Sequence, residues 1–344
     1  MKTNVDMKTT LLGAISTAVP YSLIERIARP PILIPYYHII SDDDVVHTKH
    51  LYRHKGIREF TEDMDFLLLN YTPLSLPQVI DIVRNRRPFP SKSFHLTFDD
   101  GFREMSDTVA PILLEKGIPA TFFINTAFLD NQEMCYLNRA SVLEEHLRIA
   151  KASGQRMQRI AEAIETMLAS VCSRTHSVLN VNYRNRGILL EIEKVLNFDC
   201  NDYLREYKPY LTSEQVRGLL NKGFSIGAHS IDHPRYSSLP LEEQLCQTFV
   251  STRNLRDQFG LPYGAFAFPH TDYGVSKEFF VSLYASKLVD VSFGTLGIAD
   301  DMFDMNIQRV SFEKPVWPAQ RLLRYHFARR LLKIVTGKRV LMRQ

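Results

Sequence analysis

The chain has 344 residues, 45% of them hydrophobic, which is enough apolar surface for one large α/β domain or two ordinary ones. Four cysteines, at positions 135, 172, 200 and 246, are too few and too scattered for a disulfide scaffold, a zinc knuckle or a redox dithiol, so reduced, buried thiols are expected. The net charge of +4 is localised: Ala319 to Gln344 carries eight Lys or Arg and no Asp or Glu, while the rest of the chain carries 34 basic against 38 acidic side chains. That distribution argues against a general nucleic-acid-binding surface.

At the N-terminus, Lys8 precedes "LLGAISTAV", a run as long as a short signal-peptide core. Its weak positive flank and the lack of a clear A-x-A site favour a cytoplasmic protein over a secreted one. No apolar run approaches the ~20 residues needed to span a bilayer. After this N-terminal segment of residues 1–29, "PPILIPYYHII" (Pro30 to Ile40) is a short β-branched run behind two prolines and reads as a first buried strand. A polar loop follows. Then "REFTEDMDFLLLNY" places Phe60, Met64, Phe66, Leu67 and Leu68 at helical spacing, with Thr61 as a candidate cap.

The strand "SFHLTF" ends at Asp99, Asp100 and Gly101; "TVAPILLEKG" reads as a helix stopped at Gly117, and Ala120 to Asn125 as the next strand. Strand, helix and strand in that order imply parallel pairing through a crossover helix. The alternation lapses over roughly residues 130–210, where "RASVLEEHLRIA" and "RIAEAIETMLASV" have helical spacing, so a helical insertion is expected there. Within it "SVLNVNYRNRG" is a candidate wall of a substrate groove. The pattern resumes with a helix capped by Thr212 or Ser213, the strand "FSIGAHS", a helix over "LEEQLCQTFVSTRNLRDQFG", the strand "GAFAFPHTDYG", a helix near "SKEFFVSLYASKL", then "VDVSFGT" and "IQRVSFE". Six or seven βα units with polar residues at strand ends suggest a (β/α) barrel over residues 30–318 rather than an open sheet.

Two adjacent carboxylates at the end of an apolar strand repel, and burying both requires a compensating cation or a shared proton. A glycine after the pair lets the strand's alternation lapse, so both can reach the mouth of a barrel. "AHSIDHP" supplies His229 and His233 four residues apart, the spacing of one helical turn, and Asp100 with two imidazoles is a ligand set for Zn²⁺ or a similar divalent ion. Asp99 is then the neighbouring base. That apparatus suits hydrolysis of an amide or ester.

"LTFDDGF" and "GAHSIDHP", in this order and each after a strand, resemble the first two motifs of the polysaccharide deacetylase family, the NodB-homology or carbohydrate esterase family 4 domain. The resemblance extends to "YYHII", "GIPATFFI", "AFPHTDYG" and "QRVSFE", covering roughly Pro30 to Glu313. It implies a distorted (β/α) barrel of about seven strands. It also implies Asp99 as catalytic base, a metal (most often Zn, with Co, Ni or Mn as alternatives) on Asp100, His229 and His233, and acetylated oligosaccharide or polysaccharide precursors as substrates of a bacterial cell-surface glycan enzyme. The backbone N–H of His270, following Pro269, matches the family's oxyanion donor. His38 in "YYHII" is a candidate substrate contact at the same mouth. Two departures stand out: no arginine precedes Pro269, and the last-strand region "MFDMNIQRVSFE" has no histidine to protonate the leaving amine. His270, His38, a water or Asp99 are the candidates for that acid.

His47, His50, His54 and His146 read as surface residues. In the tail, Leu323, Phe327, Leu331 and Ile334 share one helical stripe opposite Arg329, Arg330 and Lys333, which suits either a helix docked on the barrel or a basic amphipathic helix resting on anionic lipid. Deformylation of a lipid-linked amino sugar by the same groups, and a non-catalytic glycan-binding barrel, are the alternative functions.

Overall fold

The computed structural model describes residues 20–152, 154–170, 177–313, 315–337 and 339–344. The "LLGAISTAV" run and Cys172 lie outside them. Eight short parallel strands form one sheet: β1 (Pro35–Tyr37), β2 (Leu96–Phe98), β3 (Ala120–Ile124), β4 (Ser225–Ala228), β5 (Ala265–Ala267), β6 (Val291–Gly294), β7 (Asn306–Gln308) and β8 (Val310–Ser311). The order is β7-β6-β5-β4-β3-β2-β1-β8, so the two edge strands are consecutive in the chain with only Arg309 between them. A single extended segment therefore pairs with β6 on one side and β1 on the other, and the sheet becomes a nearly closed barrel. The strand expected over Pro30–Ile40 is shorter than its apolar run: Leu33 makes an isolated bridge to Phe94, and regular pairing begins at Pro35.

Helices α1 (Tyr21–Ala28), α2 (Ile57–Asn70), α3 (Leu76–Arg84), α4 (Ala110–Glu115), α9 (Ser213–Asn221), α10 (Leu241–Phe259) and α11 (Lys277–Ala285) accompany the strands. Thr212 caps α9, its hydroxyl accepting from the Gln215 N–H at 3.2 Å. Thr61 does not cap α2: that helix starts four residues earlier, with Glu59 accepting from the Gly56 N–H, and the Thr61 hydroxyl donates back to the Ile57 carbonyl.

Between β3 and α9 lie α5 (Tyr136–Ala152), α6 (Gln155–Ala169), α7 (Ile188–Leu196) and α8 (Cys200–Tyr207). Leu143, Ile164, Leu189, Ile192 and Leu204 give them a core of their own, continuous with Ile39, Phe102, Phe128 and Tyr210 at the barrel rim. His47 is not a surface residue: it is buried there, bonded to the Tyr203 hydroxyl at 3.0 Å, and burial pushes its imidazole down to about 3. His50 is also largely covered, paired with Glu145 at 2.8 Å.

Helix α12 (Ala319–Val335) packs on α1 and α2 through Leu322, Leu323 and Phe327. The cations of the tail from Ala319 onward do not form one free face. Arg330 is buried against Asp300, Arg339 also pairs with Asp300, and Arg343 is buried between Asp272 and Asp301. Val340–Leu341 adds a strand to Asp300–Asp301, which fixes this segment to the barrel. No described helix is long and apolar enough to cross a membrane.

Candidate active site

The adjacent carboxylates after β2 diverge because Asp100 and Gly101 both take left-handed backbone, φ 77° and 71°. Asp99 continues the strand register, its N–H bonded to the Tyr37 carbonyl at 2.9 Å, while Asp100 turns toward β4. Left-handed conformations recur at Ser230 (φ 72°), His233 (φ 65°) and His270 (φ 55°), so strained backbone gathers where the motif loops meet.

His229 and His233 lie on the loop after β4, not on a helix. The left-handed residues at 230 and 233 fold this loop back, so a tight turn does what a helical turn was expected to do. Asn125, at the end of β3, holds it by donating to the His229 carbonyl and to Ser230 Oγ. His229 Nδ1 lies 2.8 Å from the Ala267 carbonyl, which selects the Nδ1–H tautomer and leaves Nε2 as a lone-pair donor. Both Nε2 atoms face Asp100 Oδ1, at 3.4 Å from His229 and 3.2 Å from His233.

These three ligand atoms lie within 4.8 Å of one another. The Asp100 Oδ1 atom is buried and lacks a geometrically sound hydrogen bond, although the two imidazoles lie nearby. One carboxylate, two imidazoles, that of His229 oriented through its other nitrogen, and an unsatisfied buried oxygen fit a divalent cation. Burial opposes charge on both Asp100 and His233. It is outweighed by their mutual attraction, which holds the carboxyl well below its usual range and pushes the imidazole up to about 10.

Asp99 has a different partner. Arg309, fully buried at the barrel seam, grips it with two parallel bonds, Nη1 to Oδ1 at 2.6 Å and Nη2 to Oδ2 at 2.7 Å. Arg309 Nε also donates to the Gly294 carbonyl, and its guanidinium lies 4.7 Å from the Tyr36 ring centroid. Burial of Asp99 is again outweighed, here by Arg309 and then His229, so its carboxyl sits below the ordinary value and is ionised at neutral pH. No arginine precedes Pro269, and the one that reaches this site comes from between β7 and β8.

The same "QRVSFE" segment delivers Glu313. Its carboxylate is fully buried and accepts from the His38 N–H at 2.9 Å, while its second oxygen lies 2.6 Å from His38 Nδ1. Burial of His38 is overcome by Glu313, with smaller contributions from Asp100 and Asp99, and the imidazole is raised above its ordinary value.

The β5 loop carries Pro269 and His270. Thr295 Oγ1 donates to the His270 carbonyl at 3.2 Å, and among the described residues the His270 N–H donates to no backbone carbonyl. Its imidazole lies 4.6 Å from that of His233, and its buried Nε2 has no partner among the described residues. Burial, then the charges of His233 and Arg235, push it down to about 2. Behind the loop, Asp272 accepts from the Thr295 N–H at 3.0 Å and from Gln308 at 2.6 Å, and Arg343 closes the cluster by donating to the Asp272 carbonyl at 2.6 Å. A side chain at Gly294 would collide with both Asp272 and Gln308.

The model of the family described as polysaccharide deacetylase matches residues 86–281. The chain belongs to the polysaccharide deacetylase family. In this family member the matched stretch contains Asp99, Asp100, His229, His233 and His270, whereas His38, Arg309 and Glu313 lie outside it. Among solved structures, it is similar to the Streptococcus pyogenes deacetylase PplD, described in complex with acetate: 15% identity, TM-score 0.53, 86% of this chain and 97% of that one covered. IcaB from Ammonifex degensii is similar at 14% identity and TM-score 0.52, with the same coverage. Both likenesses concern the fold. No curated protein sequence is significantly similar to this chain.

Sequence reasoning brought together Asp99, Asp100, His229, His233 and the β5 loop. It missed Arg309, Glu313 and Asn125. The signal for the first two was present: Arg309, Ser311 and Glu313 alternate along an extended segment, so charges fall on one face of a strand that is otherwise built for burial.

Proposed function

We propose that this family member is a metal-dependent hydrolase that removes the acetyl group from an N-acetylated sugar of a glycan or glycan precursor. Asp100, His229 and His233 would hold the ion, Zn²⁺ by ligand type. When bound, it supplies Lewis-acid polarisation and lowers the pKa of coordinated water. The chain's own groups supply the rest. As a water oxygen attacks the acetyl carbonyl, Asp99 takes its proton; Arg309 keeps this carboxylate ionised and fixes both of its oxygens. The His270 N–H donates to the developing oxyanion.

The amide C–N bond then breaks, and the departing nitrogen needs a proton. His38 is the better acid. Glu313 engages Nδ1, which leaves Nε2 for the substrate, and the imidazole is raised rather than lowered. His270 is held neutral by burial, so it cannot serve as a proton source near neutral pH. Acetate and a free amine result.

The observation that carries this reading is the convergence of an arginine-held base, a three-residue ligand set and a carboxylate-held imidazole on one barrel mouth. A glycan-binding barrel has no use for the first and third. The test is acetate release from N-acetylated oligosaccharides by metal-stripped, Zn²⁺-restored and Asp99→Asn protein. Metal-dependent acetate that disappears in the variant is expected; equal release by wild type and Asp99→Asn would overturn the mechanism. Formate from N-formylated sugars in place of acetate would instead favour the deformylase alternative.

A further inference from the structure

Beside the ligand loop, a groove of about 440 Å³ runs between the inserted helices and the barrel. Its floor includes Tyr136 and Leu189, and Asp232, the residue before His233, lies on its wall. Arg184, Arg186 and Gly187 of "NYRNRG" line it as well. Tyr183 bonds both oxygens of Asp232, at 2.9 and 2.7 Å, and its ring centre lies 6.0 Å from that of Tyr136. Arg186 stacks on Tyr183 with its guanidinium 3.8 Å from the ring centre and is 3.4 Å from Asp232.

Arg184 donates to the Ser238 carbonyl at 2.6 Å, and neither it nor Arg235 has a carboxylate partner among the described residues. Both are exposed. Arg235 lies two residues beyond His233, and its carbonyl accepts from the hydroxyl of Ser238, the same residue whose carbonyl accepts from Arg184, so the two cations meet at one turn beside the groove. Against these stands the exposed Glu133, while a further cation of the lining, Arg139, is already paired with Glu193. Asp232 is occupied by Tyr183, Arg186 and Gln247. Arg186 is answered by Asp232, so the charge left over is that of Arg184 and the neighbouring Arg235 against Glu133.

We infer that this groove binds an anionic group of the substrate, a phosphate or a uronate carboxylate next to the N-acetylated sugar, with Arg184, Arg186 and Arg235 as its cations. A half-buried tyrosine beside guanidinium groups suits a sugar flanked by negative charge: Tyr183 offers ring surface to the sugar and the anion accepts charge-assisted bonds. The inference rests on the deacetylase reading for its position relative to the reacting amide.

The test compares three probes on Zn²⁺-loaded protein: neutral tetra-N-acetylchitotetraose, a hyaluronan tetrasaccharide carrying uronates, and UDP-N-acetylglucosamine carrying phosphates. For wild type and the double variant Arg184→Gln/Arg235→Gln, acetate release and calorimetric binding are both measured. At least one anionic probe should be favoured over the neutral one in wild type. The double variant should weaken that probe about tenfold more than the neutral one, as expected for lost charge-assisted contacts, and 0.5 M salt should shrink the preference. Which anion shows the effect separates phosphate from uronate. Equal losses on all three probes, or no preference in wild type, would overturn the inference. If no probe yields acetate, the deacetylase reading fails for these sugars, while the calorimetric preference still decides the groove.

Discussion

Two buried arginine–aspartate clusters lie in this barrel, and they differ in what they leave unpaired. At the seam between β7 and β8, Arg309 holds Asp99, yet next door Asp100 Oδ1 and His233 Nδ1 are buried without a satisfactory hydrogen bond. Below the β5 loop, Arg343 holds Asp272 and Asp301, and every oxygen of those two carboxylates accepts at least one bond, from Thr295, Asn306, Gln308, Phe303 or Arg343 itself. Similar chemistry serves two ends. Although Arg343 Nε finds no partner among the described residues, carboxylates that are answered specify a shape, and an unanswered one is a place for something to bind.

The comparison breaks most visibly at the ligand set. His229→Ala or His233→Ala should lose both bound metal and turnover, roughly 10³-fold or more in kcat/KM, as read by metal analysis and acetate release. Normal turnover in either variant would remove the distinction between the clusters. Asp99→Asn should keep its metal while losing about 10²- to 10⁴-fold in rate, the range for a general base.

The Arg343 cluster should fail in the opposite order. Arg343→Ala leaves two buried carboxylates without their cation and should cost about 3 kcal/mol of stability or more, seen as a lowered Tm. Because Asp272 braces the loop that presents the His270 N–H, kcat should fall in the molecules that remain folded while KM for metal-loaded enzyme stays close to wild type. A Tm unchanged by this substitution would show that the network is dispensable.

The smallest effect concerns His38 and Glu313. The folded-state imidazole is raised, so the pair contributes stability that is fully present below the unfolded value near 6.5 and is lost as pH rises through the folded one. In metal-free protein, NMR titration should place His38 above a free imidazole, and Glu313→Gln should lower it and flatten that part of the stability profile. The same variant should move the alkaline limb of kcat to lower pH if His38 is the acid.

Much of this was readable from residue order. The strand ends at Asp99–Asp100 and at His229, the stop at Gly117, the Thr212 cap and the run of helices after β3 all follow from local patterns of polarity and turn chemistry. Local patterns misled where tertiary contacts decided burial. His47 looked like a loop histidine because its neighbours are polar, but the inserted helices close over it. Arg330 looked like the solvent side of an amphipathic helix, but Asp300 sits beneath it, so the tail's basic character is partly spent inside the protein.

The sequence by itself determined the order of strands and helices, the adjacent carboxylates, the two histidines and therefore the class of chemistry, because hydrophobic period and turn residues act over a few positions. Only the tertiary structure decided which charges meet. Arg309 reaches Asp99 across 210 positions, and Glu313 reaches His38 across 275. The physical reason is closure: one extended segment pairs with both β6 and β1, and that seam carries its arginine to Asp99 and its glutamate to His38.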